Sequence, residues 1–187
     1  MRPLRTPLHL HAGRREDRLL FEYQTSLAAK LGCAGSETQR PSEQLMQQYY
    51  RRANTVTQIC GILLQNLAAT LLPPPDEPPL SINERFQNVH EFLDVVHEEV
   101  FQVEPAAIFE AFLLLERHPE LKGMSARTQR ALWRARKLVD DDFRVRPINR
   151  ARFLQILQQE RGLVHAFRAM NQFGVLGRYL PSFGRII

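Results

Sequence analysis

Residue types that carry catalysis are present in this sequence, but never at a catalytic spacing. Gly35-Ser36 is the kind of dipeptide with which a polymerase-β-type nucleotidyltransferase cradles a triphosphate. That chemistry also needs an Asp-x-Asp pair to hold two Mg²⁺ ions. No such pair follows in the loop. Asp140-Asp141-Asp142 supplies the spacing alone, far along the chain, and reads as a solvated helix end. The six histidines (His9, His11, His90, His97, His118 and His165) are never followed by the aspartate that a His-Asp phosphohydrolase requires. His90-Glu91 and His97-Glu98 lack the second histidine of a zinc helix. His9-x-His11, if extended, offers one metal two ligands, which do not make a site, so the histidines read as surface or helix-contact residues. Cys33 and Cys60 alone make neither a disulfide framework nor a four-ligand zinc site. No Gly-rich phosphate loop precedes a helix, and no Ser or Cys nucleophile motif is present. The sequence therefore assigns no catalytic, cofactor-binding or metal-ligating residue.

What remains is basic. Arg127, Arg130, Arg134 and Lys137 step by 3, 4 and 3 and so share one face of a helix, with Arg136 close by and Leu132, Ala135 and Val139 opposite. A solvated amphipathic face is the default meaning of such a stripe. The alternative is a partner-binding surface for a phosphate group or an acidic protein, because arginine forks match such oxygens. Nucleic acid is disfavoured, since three aspartates follow the stripe. The second cluster, Gly13-Arg14-Arg15-Glu16-Asp17-Arg18, alternates in sign within one turn. That pattern favours local ion pairs. Its alternative role is to offer Arg14, Arg15 or Arg18 to an anion.

Helices must position these groups. The chain has 187 residues, 44% hydrophobic and 24% charged, with 9 glycines and 12 prolines. That suits a folded helical protein with proline-marked joints. The net charge of +5 permits an anionic partner without requiring one. No run of about 18 apolar residues suggests a membrane helix, and the basic start lacks the apolar stretch of a signal peptide. Two cysteines suit a reducing cytoplasm.

Leu19, Leu20, Tyr23, Leu27 and Leu31 predict a first helix over 13–31, with Glu16 and Asp17 in its first turn and Gly32 as its stop. After a loop over 32–41, Ser42 is the predicted N-cap of a long helix. Its stripe of Tyr49, Ala53, Val56, Cys60, Leu63 and Leu67 steps by 4, 3, 4, 3 and 4, widened by Met46, Tyr50, Ile59 and Leu64. Ala and Cys at core positions, with few flanking charges, point to packing against two neighbours rather than a coiled-coil dimer. Pro73 to Pro79 stops that helix. The divisions expected are a helical segment over 1–72, a proline-rich joint over 73–81 and a second helical segment over 82–187. Residues 85–96 suit a short β-hairpin. Beyond Glu104, helices are expected around Ile108–Leu115, after Ser125, and over 149–159 and 161–172. The apolar ending on Ile186-Ile187 predicts a chain that continues in a longer protein. The expected fold is all-α, a multi-helix bundle with one short β-hairpin.

Several motifs go beyond generic physics. Leu8-His9-Leu10 with Gly13 to Gln24, Met46-x-x-Tyr49-Tyr50-Arg51, Ile82-Asn83-Glu84-Arg85-Phe86-Gln87, Ser125-Ala126-Arg127-Thr128, Asp140-Asp141-Asp142-Phe143-Arg144, and Gly162 to Ile187 resemble, in that order, the bacterial PII uridylyltransferase/uridylyl-removing enzymes. The resemblance implies the central helical region between a nucleotidyltransferase domain and a His-Asp domain. It implies Mg²⁺ and UTP as cofactor and substrate of the full-length enzyme, and the PII signal protein and the neighbouring catalytic domains as partners. Glutamine-sensing ACT domains belong to the family too. The Gly-Ser with Asp-x-Asp, the His-Asp ligands and the ACT domains are all missing here, so no catalytic residue carries over and the chain alone is expected to be inactive. The alternative from a different class is a free-standing helical adaptor or nucleic-acid-binding module.

Overall fold

A computed structural model describes residues 4–37, 39–71, 78–159 and 162–186. They form two compact units, Met1–Val56 and Thr57–Ile186, whose boundary falls inside one long helix. Residues 73–77, most of the proline-rich joint, lie outside the described residues.

The first unit holds α1 (Arg5–Ala12), α2 (Phe21–Lys30) and the first part of α3 (Pro41–Leu71). Leu8, Leu27, Ala28 and Leu45 are its buried centre. The single helix expected over 13–31 is corrected here: α1 ends on Gly13 in the left-handed conformation (φ 65°), and α2 begins only at Phe21. Glu16 and Asp17 therefore sit in the connecting loop rather than in a helical first turn. The predicted Ser42 cap is also displaced. Pro41 opens α3, where its missing N–H costs nothing, and Glu43 reaches back to accept from the Arg40 N–H at 2.9 Å. At Gly35 (φ 71°) a Cβ would stand 2.7 Å from the Gln39 carbonyl oxygen. Gly35-Ser36 is thus a tight loop that only glycine allows.

The second unit is built around α5 (Ala107–Arg117), whose residues from Ala107 to Leu114 are all buried. β2 (Phe86–Val89) and β3 (Phe92–Val95) form the expected antiparallel hairpin. His90 and Glu91 both take positive φ (50° and 64°), as a two-residue type I′ turn needs, and Asn88 Oδ1 steadies the turn by accepting from the Glu91 N–H. The sheet is larger than one hairpin, which corrects the all-α expectation to a mostly helical fold. β1 (Leu80–Ser81) pairs antiparallel with β2, and β4 (Gly123–Met124) pairs parallel with β3, giving the order β1-β2-β3-β4. Both added strands have two residues, too short for any periodicity to announce.

α4 (Val100–Val103), α6 (Ala126–Ala135), α7 (Asp141–Val145), α8 (Pro147–Leu157), α9 (Leu163–Gln172), α10 (Leu176–Tyr179) and α11 (Pro181–Ile186) complete the unit. Phe109 is the hub of its core. Its ring meets Tyr179 at 4.7 Å, Phe143 at 5.3 Å and Phe153 at 5.6 Å. Gly177 and Gly184 let α10 and α11 touch backbone to backbone, since a Cβ on Gly184 would fall 2.6 Å from the Gly177 carbonyl oxygen.

Candidate functional site

The loop between α1 and α2 gathers the first basic cluster, and its cations are held by its own acids. Glu16, buried in the loop, accepts from the Arg18 N–H at 3.0 Å and pairs with Arg14 at 3.2 Å and Arg18 at 3.5 Å. Asp17 pairs with Arg5 at 2.8 Å and with Arg15 at 3.6 Å. The backbone hydrogen bond from Arg18 holds the Glu16 carboxyl below its usual range, and the hydrogen bonds from Arg5 and His9 do the same for Asp17. Arg14, Arg15 and Arg18 keep most of their side-chain surface in solvent, so they remain on an open face. His9 and His11 lie on helix α1 rather than on extended backbone. One faces Asp17 at 3.4 Å and the other meets Ser26 Oγ at 2.8 Å. Among the described residues no group of three or more His, Cys, Asp or Glu side chains could hold a metal ion.

The second cluster lies on α6 as its spacing demands, with Leu132, Ala135 and Val139 buried behind it. Its members differ in what they touch. Arg127 reaches Asp94 with both Nε, at 3.2 Å, and Nη2, and also donates to the Val95 carbonyl. Arg134 pairs with Glu98 at 2.9 Å. Arg130 and Lys137 form no ion pair among the described residues, and Lys137 sits in the 3₁₀ turn after the helix. Arg136, their neighbour, stacks over the Trp133 ring at 3.4 Å, a cation–π contact. Arg130 lines both a cleft of about 440 Å³ bounded by Ala68, Val89, Phe92 and Ala126, and a smaller one of about 180 Å³ bounded by Ile59, Ile62, Trp133 and Phe173. The larger cleft is also lined by His90, Asp94, Ser125 and Arg127; there Ser125 Oγ donates to Asp94, and Arg127 pairs with the same carboxylate.

Two buried carboxylates, which the sequence did not single out, organise the unit. Glu110 on α5 accepts from Asn83 Nδ2 at 2.9 Å and from Arg85 Nε and Nη2 at 3.1 and 3.0 Å, and pairs with Arg152 Nη2 at 3.0 Å. Those hydrogen bonds raise the Arg85 pKa above its ordinary value. Asp94 on β3 accepts from Gln87, Ser125 and Arg127. A lone acid inside the apolar run Ala107–Leu114 was the available signal for Glu110; a half-buried hairpin gave none for Asp94.

These nodes also explain most of the sequence motifs. Asn83 Oδ1 caps the N–H groups of Arg85 and Phe86. Ser125 Oγ caps α6 through the Thr128 N–H at 3.0 Å, and Thr128 Oγ1 accepts from the Val95 N–H at 2.9 Å. Asp140 caps the start of α7 through the Phe143 N–H at 2.9 Å, and Asp140, Asp141 and Asp142 are exposed there, a solvated helix end that opens α7. Arg144 pairs with Asp141 and donates to the Arg178 carbonyl oxygen.

Comparison with known proteins agrees with this placement. The family model described as uridylyltransferase GlnD third domain matches residues 86–179, and one described as GlnD PII-uridylyltransferase matches residues 1–64. The chain is 51% identical to the bifunctional uridylyltransferase/uridylyl-removing enzyme of Bordetella pertussis, over 98% of this chain and 21% of that protein. It is 49% identical to the enzyme of that name from Nitrosospira multiformis, over 100% of this chain and 21% of the relative. For Chromobacterium violaceum the figures are 46%, 100% and 22%. The chain thus spans about a fifth of the length of the curated relatives it matches. No solved structure matches it.

Proposed function

Because the chain belongs to the bifunctional uridylyltransferase/uridylyl-removing enzyme family, we propose that it serves as that enzyme's helical interdomain module and contributes structure and regulation rather than chemistry. The observation that carries this reading is the fate of its polar motifs. Asn83, Arg85, Ser125, Arg127 and Asp140, all in stretches that resemble the family, are engaged as helix or turn caps or as ion pairs to the buried Glu110 and Asp94. Such residues hold a module in one shape so that whatever adjoins it is held in register. In this reading UTP and Mg²⁺ are bound, and PII is modified, by parts of the longer enzyme outside these 187 residues. The module is cytoplasmic, where the free thiols of Cys33 and Cys60 stay reduced. The open faces at Arg14–Arg18 and at Arg130 with Lys137 are where a catalytic domain or PII meets it.

The test is to incubate the chain with UTP, Mg²⁺ and PII and to weigh PII by mass spectrometry. No uridylyl mass should be gained, and isothermal titration with UTP and Mg²⁺ should show no binding at micromolar concentration. Either a mass gain or tight UTP binding would remove the reading. A gel shift with nucleic acid whose affinity falls steeply with salt would replace it with the adaptor class.

A further inference from the structure

The helix α3 is amphipathic in the reverse of the usual sense. Gln58 and Gln65 turn inward, one donating to the Gln172 carbonyl oxygen and the other to the Met124 carbonyl oxygen at 3.1 Å. The apolar stripe turns outward. Val56, Ile59, Leu63, Leu64, Leu67 and Leu71 keep between 53% and 67% of their surface in solvent, and Cys60 is exposed among them. From Ala53 to Leu71 there is no Asp, Glu, Lys or Arg. Single exposed apolar residues are ordinary, but a continuous uncharged stripe over four turns marks an interface.

We propose that this stripe is a self-association seam, through which two copies of the chain pair as antiparallel helices. Three features favour a second copy. The spacing is that of a helix seam, and the two neighbours that its Ala and Cys positions led the sequence to expect do not cover it among the described residues, since Cys60, Leu63 and Leu67 are exposed. The stripe is self-complementary about Leu63-Leu64, because Val56 lies seven residues before Leu63 and Leu71 seven after Leu64. A two-fold pair therefore sets Val56 against Leu71 and Ile59-Cys60 against Leu67-Ala68, as an isologous interface requires. The exposed side chains amount to roughly 600 Å² per copy, about 1,200 Å² for the pair, which reaches the lower limit of stable interfaces. The antiparallel sense sends Arg51 and Arg52 of the two copies to opposite ends, whereas a parallel pair sets four like charges together.

Sedimentation of the full chain at about 50 μM should give twice the 21.7 kDa mass of one copy, with dissociation on dilution to roughly 1 μM. Alkylation of Cys60 should slow at least about fivefold as the pair forms. The double variant L63E/L67E should stay monomeric, keep the helical circular dichroism of the parent, and alkylate at the fast rate at every concentration. L154E, at an exposed leucine of α8, should leave the dimer intact. In a cysteine-free background, V56C mixed with L71C should form a disulfide, and V56C alone should not. A parent that remains monomeric with a reactive Cys60 overturns the proposal and leaves the stripe to a helix from outside this chain. A dimer that survives L63E/L67E, or V56C chains that cross-link to themselves, overturns it equally.

Discussion

Helices α5 and α3 carry apolar patterns of similar strength and meet opposite fates. Along α5, every residue from Ala107 to Leu114 is buried, including Ile108, Phe109 and Phe112 at 0% exposure. Along α3, the cleaner heptad stripe is left in solvent, and the helix is fastened by glutamine amides on its other side. Periodicity states which face of a helix is apolar. It does not state whether this chain supplies the cover. α5 is covered because α8 and α9 pack against it and because Glu110 ties it to Arg85 and Arg152.

The contrast is sharpest at Phe109. Replacing it with alanine should cost about 4 kcal/mol, since its ring meets Phe143, Phe153 and Tyr179 and the cavity left is deep inside the unit. Urea unfolding reads this directly, and a loss below about 1 kcal/mol would mean that α5 is no better covered than α3. Glu110→Ala should follow at about 3 kcal/mol. It removes the carboxylate shared by Arg85 and Arg152 and strands two guanidinium groups, of which that of Arg152 is the better buried. Glu110→Gln keeps one acceptor oxygen for Asn83 and Arg85 Nη2 and should cost less.

Much of this was legible in the sequence. Leu132, Ala135 and Val139 are buried behind the α6 arginines as their spacing requires, and a hairpin forms within residues 85–96 as expected. The failures have separate physical causes. Gly13 broke the helix expected over 13–31 because it sits left-handed between α1 and the loop, where apolar spacing still continues through Leu19 and Leu20. β1 and β4 have two residues each and exist only because β2 and β3 offer them an edge. The basic stripe was legible as a face, but its division was not. Arg127 and Arg134 find acids on β3 and before α4, long-range partners that helical spacing cannot reveal, whereas Arg130 and Lys137 find none among the described residues.

A smaller effect distinguishes the α5 end from its middle. Glu116, two residues beyond the covered stretch, has both carboxylate oxygens buried with no hydrogen-bond partner among the described residues, and burial pushes its carboxyl up to about 7, against a pull from Arg117. The folded state therefore holds this proton more tightly than the unfolded chain, whose value is near 4.5. The stability it confers is complete below about pH 4.5, falls as pH rises to about 7, and is flat above. Partial solvation of the side chain reduces the loss to about 1 kcal/mol. Urea midpoints at pH 5 and pH 8 should differ in that direction, and Glu116→Gln should remove this contribution to the slope.

The smallest effect is expected on α3, and there the small size is informative. Leu63→Ala at dilutions where copies stay apart should change stability by less than about 0.5 kcal/mol. Leu63 is 60% exposed, so truncation removes little buried area and opens no cavity. Alanine is at least as good a helix former as leucine, which offsets what contact is lost. The equivalent change at Leu132, at 0% exposure on α6, should cost about 3 kcal/mol. At high concentration the comparison reverses its meaning. Leu63→Ala should then weaken pairing of the two copies while Leu132→Ala, where the chain still folds, leaves pairing alone. One apolar residue then serves folding and the other association, although both lie on equally clear helical stripes.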